Sequence, residues 1–102
     1  MKFKTIIIPE NIVISSLRRI SKQIFEEMGD DLYIELDFQN VTYVTSITLG
    51  VVTEIYKKLH SKEGILRLIN VDPYIKDVFH ITGFDSIIAI SCLSMGLEKV
   101  TK

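Results

Sequence analysis

Apolar positions along the chain alternate between two rhythms. In FKTIII (3–8) they form a short run that Pro9 ends, which predicts a first strand. From Ser15 to Met28 the spacing changes to three and four. Leu17, Ile20, Ile24 and Met28 make one stripe, and Arg18, Arg19, Lys22, Glu26 and Glu27 lie opposite. That pattern predicts a helix, with Ser15 or Ser16 as its N-cap and Gly29 just past its end. Leu32, Ile34, Leu36 and Phe38 then alternate with Tyr33, Glu35 and Asp37, the period of a half-buried strand. After the polar turn Thr45–Ser46–Ile47–Thr48, the positions Leu49, Val52, Tyr56 and Leu59 return to helical spacing.

The second half repeats the cycle. Gly64 closes the helix and ILRLIN (65–70) predicts a third strand. Asp72–Pro73 is a strong helix start, because aspartate caps and proline is preorganised at the first helical position. Ile75, Val78 and Phe79 give that helix its inner face, and Gly83 ends it. A fourth strand is expected over Ile87–Ile90, and a last weak helix after Ser94, with Gly96 near its start. The element order is β-α-β-α-β-α-β-α. Strands joined by helical crossovers should be parallel, with right-handed connections.

The stretch from Asp30 to His60 carries the strongest local signal. A strand running through a short turn into a helix aims free backbone N–H groups at one point, which suits an anion or a partner's polar groups. This stretch resembles the signature of STAS domains, the fold of bacterial anti-sigma factor antagonists. There an apolar strand ending in aspartate is followed by Asp-Ser-Ser/Thr-Gly-Leu-Gly and an amphipathic helix. Leu49–Gly50–Val51–Val52 matches the Leu-Gly and the helix start, and Asp37 stands near the aspartate that ends the family's strand. In that register Thr45 falls on the motif's aspartate, Ser46 on its first serine, Ile47 on its second and Thr48 on its glycine. Asn70–Val71–Asp72 through Thr82–Gly83–Phe84 resembles the family's second recurring segment.

The resemblance covers nearly the whole chain. It implies an α/β, STAS-like (SpoIIAA-like) fold, with a small, mainly parallel sheet and helices packed mostly on one side. Such domains usually open with a strand hairpin, whereas only about one strand fits before Pro9. The resemblance also implies a function: docking onto an anti-sigma factor of the serine-kinase-like ATPase type through Thr45, Ser46, Ile47, Thr48 and Gly50 and the helix that follows. In regulated members the second serine is the phosphorylation site. Isoleucine stands there and cannot accept a phosphate, which leaves Ser46 and Thr48 as weak fallback acceptors. The alternative is a non-catalytic STAS subunit or scaffold, in a stressosome-like assembly or beside a lipid transporter.

Composition narrows the remaining classes. At 102 residues a single domain over 1–102 is expected. A formal net charge of −1 gives no basic field for nucleic acid. The single cysteine, Cys92, excludes an internal disulfide, fits a reducing compartment, and reads most simply as a small core residue. No run approaches the ~18 apolar residues of a membrane span, and the N-terminus lacks the apolar region of a signal peptide. A cytoplasmic protein without membrane insertion is expected, with a homodimer left open.

No catalytic constellation, cofactor motif or metal-ligand spacing is present in the sequence. His60 and His80 read as surface or helix-end residues. Each residue of the turn has a structural reading beside the functional one. Ser46 or Thr45 can be simply the N-cap, and Thr48 can back-bond within the first turn. Ile47 is either buried under the loop or an exposed apolar contact, and Gly50 is a helix-weakening residue that close approach of another backbone would explain. Tyr43, Tyr56 and Tyr74 read as core residues with a wet hydroxyl.

Overall fold

The computed structural model describes residues 2–93. Its elements run β1 (Lys4–Ile7), α1 (Leu17–Met28), β2 (Tyr33–Asp37), α2 (Ser46–His60), β3 (Ile65–Val71), α3 (Pro73–Ile81), a 3-10 turn (Phe84–Ser86) and β4 (Ala89–Cys92). The expected helix after Ser94 lies outside the described residues. The four strands form one parallel sheet in the order β1-β2-β3-β4, so every strand pairs with the next along the chain. Crossovers of one hand between successive neighbours stack the helices on one face.

Burial follows from that geometry. Ile6, Ile34, Leu36, Leu66 and Leu68 point into the helical layer and are buried, as are Ile20, Ile24 and Met28 of α1 and Ile75 and Phe79 of α3. Phe38 and Phe79 meet edge to face at 5.9 Å in the same core. On the other face the register sets Thr5, Glu35 and Arg67 side by side. Thr5 Oγ1 donates to Glu35 Oε1 at 2.6 Å, and Arg67 reaches Glu35 Oε2 through Nε and Nη2, both at 2.7 Å. The Thr5 hydrogen bond and the Arg67 guanidinium hold the Glu35 carboxyl below its ordinary value against the opposing effect of burial.

The structure differs from the sequence reading in several places. The buried row of α2 is Thr48, Val51, Val52, Ile55 and Leu59, while Leu49 and Tyr56 are half-buried at its margins. The fourth strand starts two residues late, because Phe84–Ser86 is taken up by the 3-10 turn and Ile88 is buried before the strand begins. Cys92 is exposed, not core: it ends β4, which among the described residues pairs with β3 alone. Tyr43 and Tyr74 are also exposed. Among the described residues one strand precedes α1. It sits at the sheet's edge, and no antiparallel hairpin accompanies it.

Candidate functional site

The C-terminal ends of the strands carry the loops in which parallel α/β sheets place their sites. Asp37 organises this end. It is buried, and its Oδ1 accepts from the Gln39 amide at 2.9 Å and from Asn70 Nδ2 at 3.1 Å, while Oδ2 accepts from Gln39 Nε2 at 3.0 Å. One carboxylate thus ties the end of β2 to the loop after it and to the end of β3. A second polar residue, Asn11, holds the same loop from the β1 side. Its Oδ1 accepts from the Thr42 amide at 2.7 Å, and its Nδ2 donates to Thr42 Oγ1 at 2.9 Å. Asn11 was not legible as part of the site, because its partners lie 31 residues away in sequence.

The loop delivers Thr45 to the start of α2 in extended conformation, and Thr45 is the N-cap. Its Oγ1 accepts from the Ile47 amide at 3.2 Å, and its own amide donates to Thr48 Oγ1 at 3.3 Å. The two threonines therefore cap each other's backbone, as Ser and Glu do in a capping box. This leaves fewer free donors at the turn than a bare helix start would offer.

The cap also corrects the list of candidate residues. Thr48 is fully buried and its hydroxyl is engaged, so it stands neither as a partner contact nor as a phosphate acceptor on the exposed corner. Ser46 is not the cap, and it is exposed. Ile47 is half-buried: one side packs against the core cluster, and the rest faces outward.

Gly50 is exposed on α2, and a Cβ built on it would meet nothing within 4 Å. The fold itself does not require a glycine there, although glycine costs a helix roughly 1 kcal/mol relative to alanine. The space over it belongs to a groove of about 400 Å³ between α1 and α2. Leu17, Ser21 and Phe25 line it from α1, and Ile47, Gly50, Val51 and the exposed Glu54 line it from α2. Phe25 and Ser21 were missed in sequence, since neither lies on the buried stripe of α1. Ile14, Tyr43 and Tyr74 add exposed apolar surface on the segments that leave β1, β2 and β3 at this same end.

Among the described residues no group of three or more His, Cys, Asp and Glu side chains is placed to hold a metal ion. His80 Nδ1 lies 2.7 Å from Asp85 Oδ2 at the end of α3, and His60 stacks on Tyr56 at 5.3 Å. No helix among the described residues is long and apolar enough to cross a membrane.

The chain resembles several known proteins. One, named as an anti-sigma factor antagonist, is BtrV of Bordetella bronchiseptica. It is 34% identical over 58 residues, which are 57% of this chain and half the length of that relative. Among solved structures, a protein of Thermotoga maritima described as an anti-sigma factor antagonist superposes with a TM-score of 0.75 at 24% identity, covering 85% of this chain and 78% of that one. The anti-sigma factor antagonist SpoIIAA in its unphosphorylated form superposes with a TM-score of 0.68 at 18% identity, covering 87% and 79%. At these identities the structures establish the shared fold, four parallel strands with three helices. The model of the STAS domain family matches residues 4–96, and with that match spanning the sheet, the helices and the capped turn, the chain belongs to the STAS domain family.

Proposed function

We propose that this chain, acting as one domain over residues 1–102, is a non-catalytic regulatory module. It binds an anti-sigma factor of the serine-kinase-like ATPase type through the turn at 45–47, Gly50 and the outward face of α2. The observation that carries this reading is the setting of Ile47. An apolar side chain stands half-exposed beside an apolar groove and on a turn fixed by Thr45 and Thr48; in the register of the resemblance it takes the place of the family's phosphoacceptor. Protein interfaces are commonly built this way, as an apolar anchor in a pocket ringed by polar contacts. The name of BtrV supports the class of partner. In this reading the protein is cytoplasmic, where sigma factors work, and its activity does not depend on phosphorylation at position 47.

Isoleucine at the acceptor position favours a constitutive binder over a kinase-switched one. It equally suits the second reading, a STAS subunit or scaffold of a larger assembly. Calorimetric titration with the purified anti-sigma factor of the same host separates them. Wild-type protein should bind, and Ile47→Asp should lose at least ~2 kcal/mol of binding while largely retaining its thermal melt. No binding by the wild-type protein would favour the scaffold reading. Loss of affinity together with a collapsed melt would show that Ile47 serves the core rather than the partner.

A further inference from the structure

The groove between α1 and α2 is longer than the turn it adjoins. On α1 the row Leu17, Ser21, Phe25 advances four residues at a time. On α2 the row Ile47, Gly50–Val51, Glu54 keeps pace with it. Each row carries one small residue midway, Ser21 on α1 and Gly50 on α2, while Leu17, Phe25, Ile47 and Val51 supply the apolar lining. Beside the groove Lys58, one turn beyond Glu54 on α2, sets its Nζ 5.1 Å from the centre of the Phe25 ring. Glu54 is exposed on the rim and forms no ion pair among the described residues.

We propose that this groove is the seat of an amphipathic helix of the anti-sigma factor. An aliphatic side chain of that helix would sit over Gly50, and a lysine or arginine about one turn along would meet Glu54. The inference rests on the reading of the turn as the partner's docking point, and it extends that surface onto α1. Three observations favour a helix as occupant. The groove spans eight residues of two parallel-running helices, roughly 12 Å, which is the length of two helical turns. Its lining is almost wholly apolar, as a helix-in-groove interface requires. Its one charged lining residue, Glu54, is a carboxylate with no ion pair among the described residues, which calls for a basic residue on the incoming chain. The space over Gly50 gives the glycine a purpose that the chain's own packing does not.

The test uses the same purified anti-sigma factor, titrated into wild-type protein, Gly50→Leu, Glu54→Lys and Ile47→Asp. It also follows the methyl NMR signals of Leu17, Ile47 and Val51. Leucine at position 50 fills the groove from an exposed helical site, so the thermal melt should hold or rise. Its affinity should fall at least tenfold, and Glu54→Lys should weaken binding severalfold. The Leu17 and Val51 methyls should shift when partner is added to wild-type protein.

If Ile47→Asp abolishes binding while Gly50→Leu binds like wild-type protein and the Leu17 methyls stay still, the groove is empty in the complex. The inference then fails and the docking point stands. If neither variant matters, or wild-type protein does not bind, both readings fail together. A small molecule found by native mass spectrometry on wild-type protein and absent from Gly50→Leu would also overturn the inference. So would a dimer, seen by light scattering, that Gly50→Leu dissolves.

Discussion

The carbonyl oxygen of Leu32 fills the space beside Gly64: a Cβ on that glycine would stand 2.5 Å from it. The same oxygen accepts from the Ile65 amide at 2.8 Å, and the Gly64 amide donates to Leu59 O at 2.7 Å. The end of α2, the entry to β2 and the start of β3 thus meet backbone to backbone, and only a residue without a side chain fits between them. Gly64→Ala should cost about 1–3 kcal/mol, the usual penalty of overpacking. A denaturant melt of the variant matching wild-type protein would show that the backbone shifts without penalty.

The centre of the sheet should answer differently, by leaving a void. Ile34 and Leu68 lie diagonally on one face of adjacent strands, Ile34 pairing with Leu66 and Leu68 with Leu36, and both are fully buried. Ile34→Ala and Leu68→Ala should each destabilise the fold by ~2–5 kcal/mol. Because they lie close together, the double variant should not lose the sum of the two. Chemical denaturation of the three variants checks both points.

Glu35 predicts a pH dependence. Its folded-state pKa lies below the ordinary 4.5, so the group binds protons more readily in the unfolded chain. Its contribution to stability is complete above about pH 4.5 and is lost as pH falls through that value toward the folded pKa. Glu35→Gln should therefore flatten the acid limb of the stability–pH curve and leave its shape above pH 6 unchanged. Urea midpoints of both proteins between pH 3 and 7 measure this. Identical acid limbs would assign the destabilisation to other carboxylates.

Phosphorylation at the turn should fail. Ile47 has no hydroxyl, and Thr48 is fully buried with its hydroxyl accepting from the Thr45 amide, so Ser46 is the one exposed hydroxyl of the helix start. Incubation with the anti-sigma factor and ATP should leave the intact mass unchanged. A stoichiometric phosphoryl adduct on Ser46 would show that a switch survives, moved by one residue, and Ser46→Ala should then abolish it.

Much of this architecture was legible because single residues carried local physical signals. Asp72 caps α3 as its sequence position suggests, accepting from the Tyr74 amide at 2.8 Å, with Pro73 opening the helix. The inward positions Ile34, Leu36, Leu68 and Ile88 are all buried, as strand alternation and apolar runs imply. What escaped the sequence was set by distant parts of the chain. Cys92 reads as core among Ile90 and Leu93, but nothing local announces that, among the described residues, β4 pairs with β3 alone. Thr48 reads as a hydroxyl on a polar turn, but its burial follows from the reciprocal bond with Thr45 and the packing of α2 on β3. The groove has no sequence signature at all: Ser21 and Gly50 lie 29 positions apart, and only the packing of α1 beside α2 brings them into one lining.

The strand order has a consequence for how the molecule comes into being. Each strand lies beside its predecessor, so no strand has to be inserted between two already in place. A chain emerging N-terminus first can pair β2 with β1 before β3 exists, then extend the sheet by one strand–helix unit at a time. Every pairing closes a loop of about thirty residues or fewer, a modest entropic cost that hardly grows from one step to the next. The growing edge is always the most recently made strand, and its next partner is always the next segment to arrive.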